Sequence, residues 1–118
     1  MKSLSLLIAA LLAVPVHAFA ADAVKVDVYL AGQLQNSISL VGPNASVKFS
    51  PTDMPGSTLE LRLIAPEPVI IEMKETMADG KGAEVIGRIK MPTPGSSFAV
   101  AEMKGAKFHS PYVLVRPN

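Results

Sequence analysis

The feature that most constrains the fold is a period-two alternation of apolar and polar residues in short segments interrupted by Gly, Pro and Asn. In residues 24–30, Val24, Val26, Val28 and Leu30 share one face while polar side chains occupy the other. This alternation is typical of a half-buried β-strand. It predicts further strands over residues 37–41, 45–50, 58–65, 69–76, 84–91, 97–103 and 111–116.

The spacing of these segments predicts an all-β domain of about eight short strands, with turn residues every ~8–12 positions. We expect an antiparallel β-sandwich, immunoglobulin-like or jelly-roll-like, with a small closed barrel as the alternative. Residues 70–77 contain good helix formers, but the run Val69-Ile70-Ile71 favours a strand. A hairpin turn is predicted over 79–82, and Gly87 within a strand indicates a bulge or a close backbone approach.

The first 20 residues have the pattern of a secretory signal peptide. Lys2 precedes an apolar run over 4–16, and Ala18 and Ala20 stand at the −3 and −1 positions of a cleavage site. The run is shorter than the ~20 apolar residues that a spanning helix needs, and charges or prolines interrupt every later apolar run. We therefore expect residues 1–20 to be removed. Residues 21–118 would then form one periplasmic or secreted domain without a transmembrane segment.

Composition excludes several kinds of chemistry. The chain has no cysteine, so thiol nucleophiles, zinc–thiolate sites and iron–sulfur clusters are excluded and the fold must stand without disulfides. Its 11 basic and 10 acidic residues are scattered singly. Without a basic block or interleaved aromatic residues, the sequence does not predict binding to nucleic acid.

The sequence offers little for catalysis. His109 and Ser110 are neighbours, but adjacent residues of a strand point to opposite faces, whereas triads combine distant positions. No phosphate-binding loop is present. Five glutamates are expected on solvated polar faces or near turns: Glu60, Glu72, Glu75, Glu84 and Glu102. The sequence therefore predicts no catalytic residues and no cofactor.

Methionine is the one compositional oddity. Thioethers are soft ligands that select Cu(I), and the bacterial envelope handles copper. Met91, Met103 and His109 could meet at one end of a sandwich. Methionine also fills gaps in apolar cores, and the spacing of these residues is not diagnostic. A copper-binding protein is therefore kept as the alternative function.

The sequence favours a non-catalytic binding or accessory protein acting through protein–protein contacts, of the inhibitor, immunity or assembly-factor type. Its partner would be another envelope or secreted protein. Loops rich in Pro and Gly on a rigid scaffold lower the entropy cost of recognition. We expect the loop that contains Pro92, Thr93 and Pro94 to contact the partner, with Phe98 as an anchor. The edges of the sheets are a second route, because an unpaired edge can accept a partner strand.

Overall fold

The computed structural model describes residues 23–78 and 84–118, so the predicted signal peptide and the predicted turn over 79–82 lie outside the described residues. The described part is all-β, and Val69–Met77 is a strand as predicted. Its strands are β1 (Ala23–Leu30), β2 (Gln33–Val41), β3 (Ser46–Phe49), β4 (Ser57–Pro66), β5 (Val69–Met77), β6 (Val85–Lys90), β7 (Ser97–Ala99) and β8 (Tyr112–Val115).

These strands form two antiparallel sheets of four strands each. We call the sheet with the order β2-β1-β8-β7 sheet I and the sheet with the order β3-β4-β5-β6 sheet II. Sheet I therefore holds the first and last strands, and sheet II is a continuous meander. The chain passes from sheet I to sheet II after β2 and returns after β6.

The order of the strands corrects the more specific expectation of an immunoglobulin-like or jelly-roll-like fold. Those sandwiches use Greek-key connections, in which a strand returns to lie beside a distant one. Here every pair of neighbours among the described strands is consecutive in sequence, except β1 and β8. The connectivity is therefore up-and-down.

The predicted alternation places the core between the two sheets. The even-numbered residues of β1 from Val24 to Leu30 are buried, and so are Leu59, Leu61 and Leu63 of β4. From the rest of the described chain, the buried apolar residues are Ile38, Leu40, Val69, Ile71, Met73, Ile89, Met91, Val100, Tyr112 and Leu114. Burying a large aliphatic side chain contributes about 1.5–3 kcal/mol, so this cluster is the main stabilising feature of the fold.

Two turns are formed by residues with positive φ. Ala31 and Gly32, with φ of 52° and 79°, join β1 to β2. Positive φ at both central residues is the type I′ geometry that matches the twist of a hairpin. Gly42 and Asn44 also have positive φ, and they turn the chain out of sheet I toward β3.

The prediction of one strand over 97–103 is wrong in its second half. Strand β7 ends at Ala99, and Val100–Glu102 forms one turn of 3-10 helix that buries Val100. This turn places the Met103 side chain over Gly87 of β6, so close that a Cβ atom at Gly87 would lie 2.2 Å from the Met103 sulfur. Gly87 is thus a close approach rather than a bulge, because the β5–β6 register runs through it without a shift.

Candidate functional site: the outer faces of the two sheets

The outer face of sheet I carries a row of apolar side chains. Leu34 of β2 lies opposite Tyr29 of β1, Tyr29 lies opposite Val113 of β8, and Val113 lies opposite Ala99 of β7. Directly opposed residues share a face, and the flanking residues of β1 and β8 point into the core, so these four side chains point outward. We call these four residues the apolar row. It crosses the full width of the sheet.

The apolar row is open to solvent at one end and half-buried in its middle. Leu34 is 50% exposed, whereas Tyr29, Val113 and Ala99 have intermediate exposure. Val115, also of intermediate exposure, lies in the adjacent row opposite Asp27. The row therefore forms a continuous line of apolar side chains across sheet I that is most exposed at Leu34.

The row depends on a β-bulge in β2. The β1–β2 register shifts between Val28 and Tyr29, which leaves Gln35 as the extra residue between Leu34 and Asn36. The Gln35 amide donates to the Asp53 carboxylate at 2.8 Å and accepts from the Asp53 backbone N–H at 2.9 Å. Ile38 and Leu40 of β2 point inward, and without the bulge the same alternation would place Leu34 inward as well. The shift therefore moves Leu34 onto the outer face.

The outer face of sheet II has the opposite character. Its ion pairs join Arg62 to Glu72 at 2.8 Å, Arg88 to Glu72 at 3.3 Å, Lys74 to Glu60 at 3.4 Å and Lys74 to Glu84 at 3.8 Å. The Arg62 guanidinium hydrogen-bonds to Glu72 and holds the pKa of that carboxyl below its ordinary value of 4.5. These charges satisfy one another and make a solvated surface.

The loop that was expected to contact a partner is exposed and rigidly turned. Pro92, Thr93 and Pro94 are exposed. The Ser96 backbone N–H donates to the Thr93 carbonyl at 3.1 Å, and Gly95 has φ of 89°. Pro followed by a residue of positive φ is the signature of a type II turn.

The C-terminal segment ties this loop to sheet I. The Gly95 N–H donates to the Arg116 carbonyl at 2.6 Å, and the Arg116 N–H donates to the Ser96 carbonyl at 2.8 Å. The loop therefore lies beside Val115, at the border of the outer face of sheet I. Phe98 is half-buried and packs against the core, so its ring is only partly available as an anchor.

The three residues of the copper alternative lie in different surroundings. Met91 is fully buried in the core. Met103 and His109 both line a shallow pocket of about 280 Å³ between the 3-10 turn and residues 106–111. The Met103 sulfur packs on Gly87 of β6. Met91 follows the end of β6 at Lys90, four residues beyond Gly87, so the backbones of Gly87 and Met91 are about 13 Å apart at the rise of an extended chain. The pocket thus brings together two of the three candidates.

The structure reveals a buried polar cluster beneath this pocket that sequence reasoning missed. Glu75 was expected on a solvated face, but it is fully buried on the inner face of β5. Its Oε1 accepts the His109 backbone N–H at 2.6 Å, while its Oε2 is buried without a hydrogen-bond partner among the described residues. Continuing the alternation from Ile71 and Met73 by two residues would have placed Glu75 inward.

Tyr112 completes the cluster. The Ser57 hydroxyl donates to the Met54 carbonyl at 3.1 Å, which leaves Ser57 Oγ to accept from the Tyr112 hydroxyl at 3.3 Å. Burial raises the pKa of Tyr112 above its ordinary value of 10; the bond to Ser57 opposes this shift, and the Glu75 carboxylate adds to it. Ser110 is buried while the adjacent His109 is exposed, in the bend that precedes β8.

Comparison with known protein families, with curated proteins and with solved structures finds no match. Within residues 23–78 and 84–118, no helix has the length and apolar character needed to cross a membrane. The same described residues contain no group of three or more His, Asp or Glu side chains placed to hold a metal ion.

Proposed function

We propose that this protein is a non-catalytic binding or accessory protein of the cell envelope that acts by contacting another envelope or secreted protein. The observation that carries this proposal is the apolar row on sheet I. Leu34 stands half-exposed at one end of this row, and Val113 and Ala99 lie at the other. Exposed apolar patches with polar borders on small proteins are typically interaction sites.

The contrast between the two outer faces supports this assignment. On sheet II, Arg62, Glu72 and Arg88 form a bridged group that stays hydrated. Such exposed ion pairs contribute little to stability and cost desolvation energy when a partner covers them. A partner that buries sheet I instead removes apolar surface from water and leaves few charges unpaired, with Lys25 and Asp27 as the nearest charged side chains of β1.

The loop beside Val115 extends the same surface. Pro92, Thr93 and Pro94 are held by the turn that Gly95 closes and by the bonds to Arg116. A loop that is already ordered loses little conformational entropy when it binds. We assign the rim of the interface to this loop and its centre to the apolar row, a division in keeping with the dry core and polar rim of protein interfaces.

Export is part of the proposal. The pattern of residues 1–20 directs the chain across the inner membrane, and residues 21–118 would act in the periplasm or outside the cell. The absence of cysteine makes the fold independent of disulfide formation in that compartment.

Copper binding is the second candidate. One observation favours it: Met103 and His109 line the same pocket, and thioether and imidazole are ligands that copper accepts. Met91 does not take part, because it lies in the core. Metal content of the purified protein distinguishes this candidate from the first.

The test is capture of partners by the tagged protein, expressed as the full chain and recovered from the envelope fraction. Leu34→Glu charges the apolar row, and Ile86→Glu is its matched control. Ile86 is 49% exposed, against 50% for Leu34, and it lies on the outer face of sheet II. Both substitutions are at exposed positions, where effects on stability are within about 0.5 kcal/mol.

We expect Leu34→Glu to reduce recovery of a specific partner about tenfold, the effect of losing an interface residue worth more than 1 kcal/mol, while Ile86→Glu leaves recovery unchanged. Equal recovery with both variants would refute the assignment of the interface to the apolar row. A purified protein that carries stoichiometric copper and captures no partner would replace the proposal with the metal-binding candidate.

A further inference from the structure

The four edge strands of the two sheets differ in how they are protected against pairing with another chain. Edge strands usually carry charges, are very short, or are covered. Strand β3 has Lys48, β6 has Arg88 and Lys90, and β7 has three residues. Strand β2 has nine residues, QLQNSISLV, without charge or proline.

The two ends of β2 define which part of its edge is open. At one end the Gln35 side chain is bound to Asp53, so the loop that contains Asp53 lies against the bulge. At the other end Gly42, with φ of 89°, turns the chain toward β3. Between these points, the paired stretch opposite β1 runs without a shift from Asn36 to Val41.

We propose that the open edge of β2 pairs antiparallel with β2 of a second copy of this chain, with Ser39 at the two-fold axis. Two copies paired in this way would join their sheets I into one sheet of eight strands. The partner strand is present on every molecule, so the contact needs no other component and is closed by symmetry.

The register follows from the faces of the strand. Opposed residues must lie on the same face, and β2 buries Ile38 and Leu40 while exposing Ser37, Ser39 and Val41. Pairing Ser39 with its own copy places Ile38 opposite Leu40 and Ser37 opposite Val41. A shift by one residue would oppose buried to exposed positions. A shift by two in one direction would bring the bulged Gln35 into the ladder, and in the other it would bring in Gly42, where the chain turns away.

Surface chemistry favours a second copy as the occupant. No charged side chain lies on β2, so the two-fold axis opposes no like charges. The chain has nearly balanced charge, with 11 basic and 10 acidic residues, so two copies do not repel each other over long range. Val41, 55% exposed, would lose contact with water.

The absence of cysteine allows a direct test by cross-linking. Ser39→Cys introduces a single thiol at the proposed axis, and Ser97→Cys is the control at the other edge of sheet I, where Ser97 is also exposed. Each variant is expressed as the full chain, purified, treated with diamide and analysed without reducing agent. We expect the disulfide-linked dimer to predominate for Ser39→Cys and the monomer for Ser97→Cys.

Sedimentation of the protein without added cysteine provides a second measurement. We expect a concentration-dependent dimer whose dissociation constant rises about fivefold in Ser39→Lys, because like charges would then oppose each other across the axis. Mixing Ser39→Lys with Ser39→Glu should restore the dimer as a heterodimer. A monomer at all concentrations, or equal cross-linking of Ser39→Cys and Ser97→Cys, would overturn the proposal.

This inference and the proposed function fail independently. Ser39 lies outside the apolar row, so its variants should still capture the partner that Leu34→Glu loses. A monomeric protein that captures a partner refutes only the pairing of β2, and a dimer that captures none refutes only the proposed function.

Discussion

The effect of Gly87→Ala on stability should depend on the residue at position 103: destabilising with Met103 present, and stabilising when Met103 is replaced by alanine. A Cβ atom at Gly87 would lie 2.2 Å from the Met103 sulfur, 3.0 Å from its terminal methyl carbon and 3.3 Å from the Ala106 methyl group. The first distance is far inside van der Waals contact. The Met103 side chain must therefore leave its place over β6 when the methyl group is added.

Two opposing effects set the magnitude. Alanine in a strand is more stable than glycine by about 0.5–1 kcal/mol, because it has less freedom in the unfolded chain. Overpacking costs about 1–3 kcal/mol, and the cost here lies at the lower end because the displaced atoms are the end of a flexible side chain. We expect Gly87→Ala to destabilise the protein by about 1 kcal/mol when Met103 is present.

In a Met103→Ala background the main obstacle is gone, and the Ala106 methyl group at 3.3 Å is the close neighbour that remains. The same Gly87→Ala change should then stabilise the protein by about 0.5 kcal/mol, the gain expected from unfolded-state entropy. The coupling between the two positions would be about 1.5 kcal/mol, within the range for residues in contact. A reversal in the sign of the Gly87→Ala effect on Met103→Ala substitution is specific to the contact between these two residues.

Urea unfolding followed by far-ultraviolet circular dichroism measures the cycle, with four proteins compared at one protein concentration. The slope of the free energy against urea should stay constant, which shows that the unfolded state is unchanged. Stabilisation by Gly87→Ala in both backgrounds would refute the reasoning, since Met103 would then not occupy the space above the glycine.

Two further substitutions test the buried cluster. Tyr112→Phe should cost about 1 kcal/mol by removing the hydrogen bond to Ser57. Because burial raises the pKa of Tyr112 above 10, the unfolded chain loses this proton first, and stability falls as the pH rises from 10 through the higher folded pKa. Unfolding at about pH 9 and 11 should show that this fall is smaller in the phenylalanine variant. Glu75→Gln, which keeps an acceptor for the backbone N–H that Glu75 binds, should change the thermal unfolding free energy by less than about 1 kcal/mol, whereas Glu75→Leu should cost about 1–3 kcal/mol by leaving that donor unpaired.

Alternation predicted the strands because it depends only on local geometry. Each strand that the pattern indicated is present, and the inward residues of β1 and β4 are buried as expected. The ends were harder to predict: residues 100–102 alternate like a strand, yet they form a helical turn because Val100 must be buried while the chain reverses. Hydrophobic pattern alone does not distinguish these two ways to bury one valine.

Glu75 shows where residue type misled the prediction. A carboxylate was assumed to lie on the solvated face, although the period of β5 places position 75 inward. The period was the stronger signal, since a strand cannot turn one side chain outward without a bulge, and β5 has none between Ile71 and Glu75. The acceptor role for the His109 N–H could not be predicted, because it joins residues 34 apart in sequence.

The apolar row could not be predicted from the sequence for a related reason. Leu34, Tyr29, Val113 and Ala99 come from three separate parts of the chain, and only the pairing of β1 with β8 brings them together. The row also needs the bulge at Gln35, which moves Leu34 to the outer face.

The core does not explain why sheet I keeps an apolar outer face. Leu34 adds little to folding, because half of its side chain stays exposed to solvent, and sheet II shows that the same architecture tolerates a charged outer face. On sheet II, Glu72 bridges Arg62 and Arg88 on the outer face. Polar residues in place of the apolar row would make the protein more soluble. The partner that we propose for sheet I would account for this difference between the two faces.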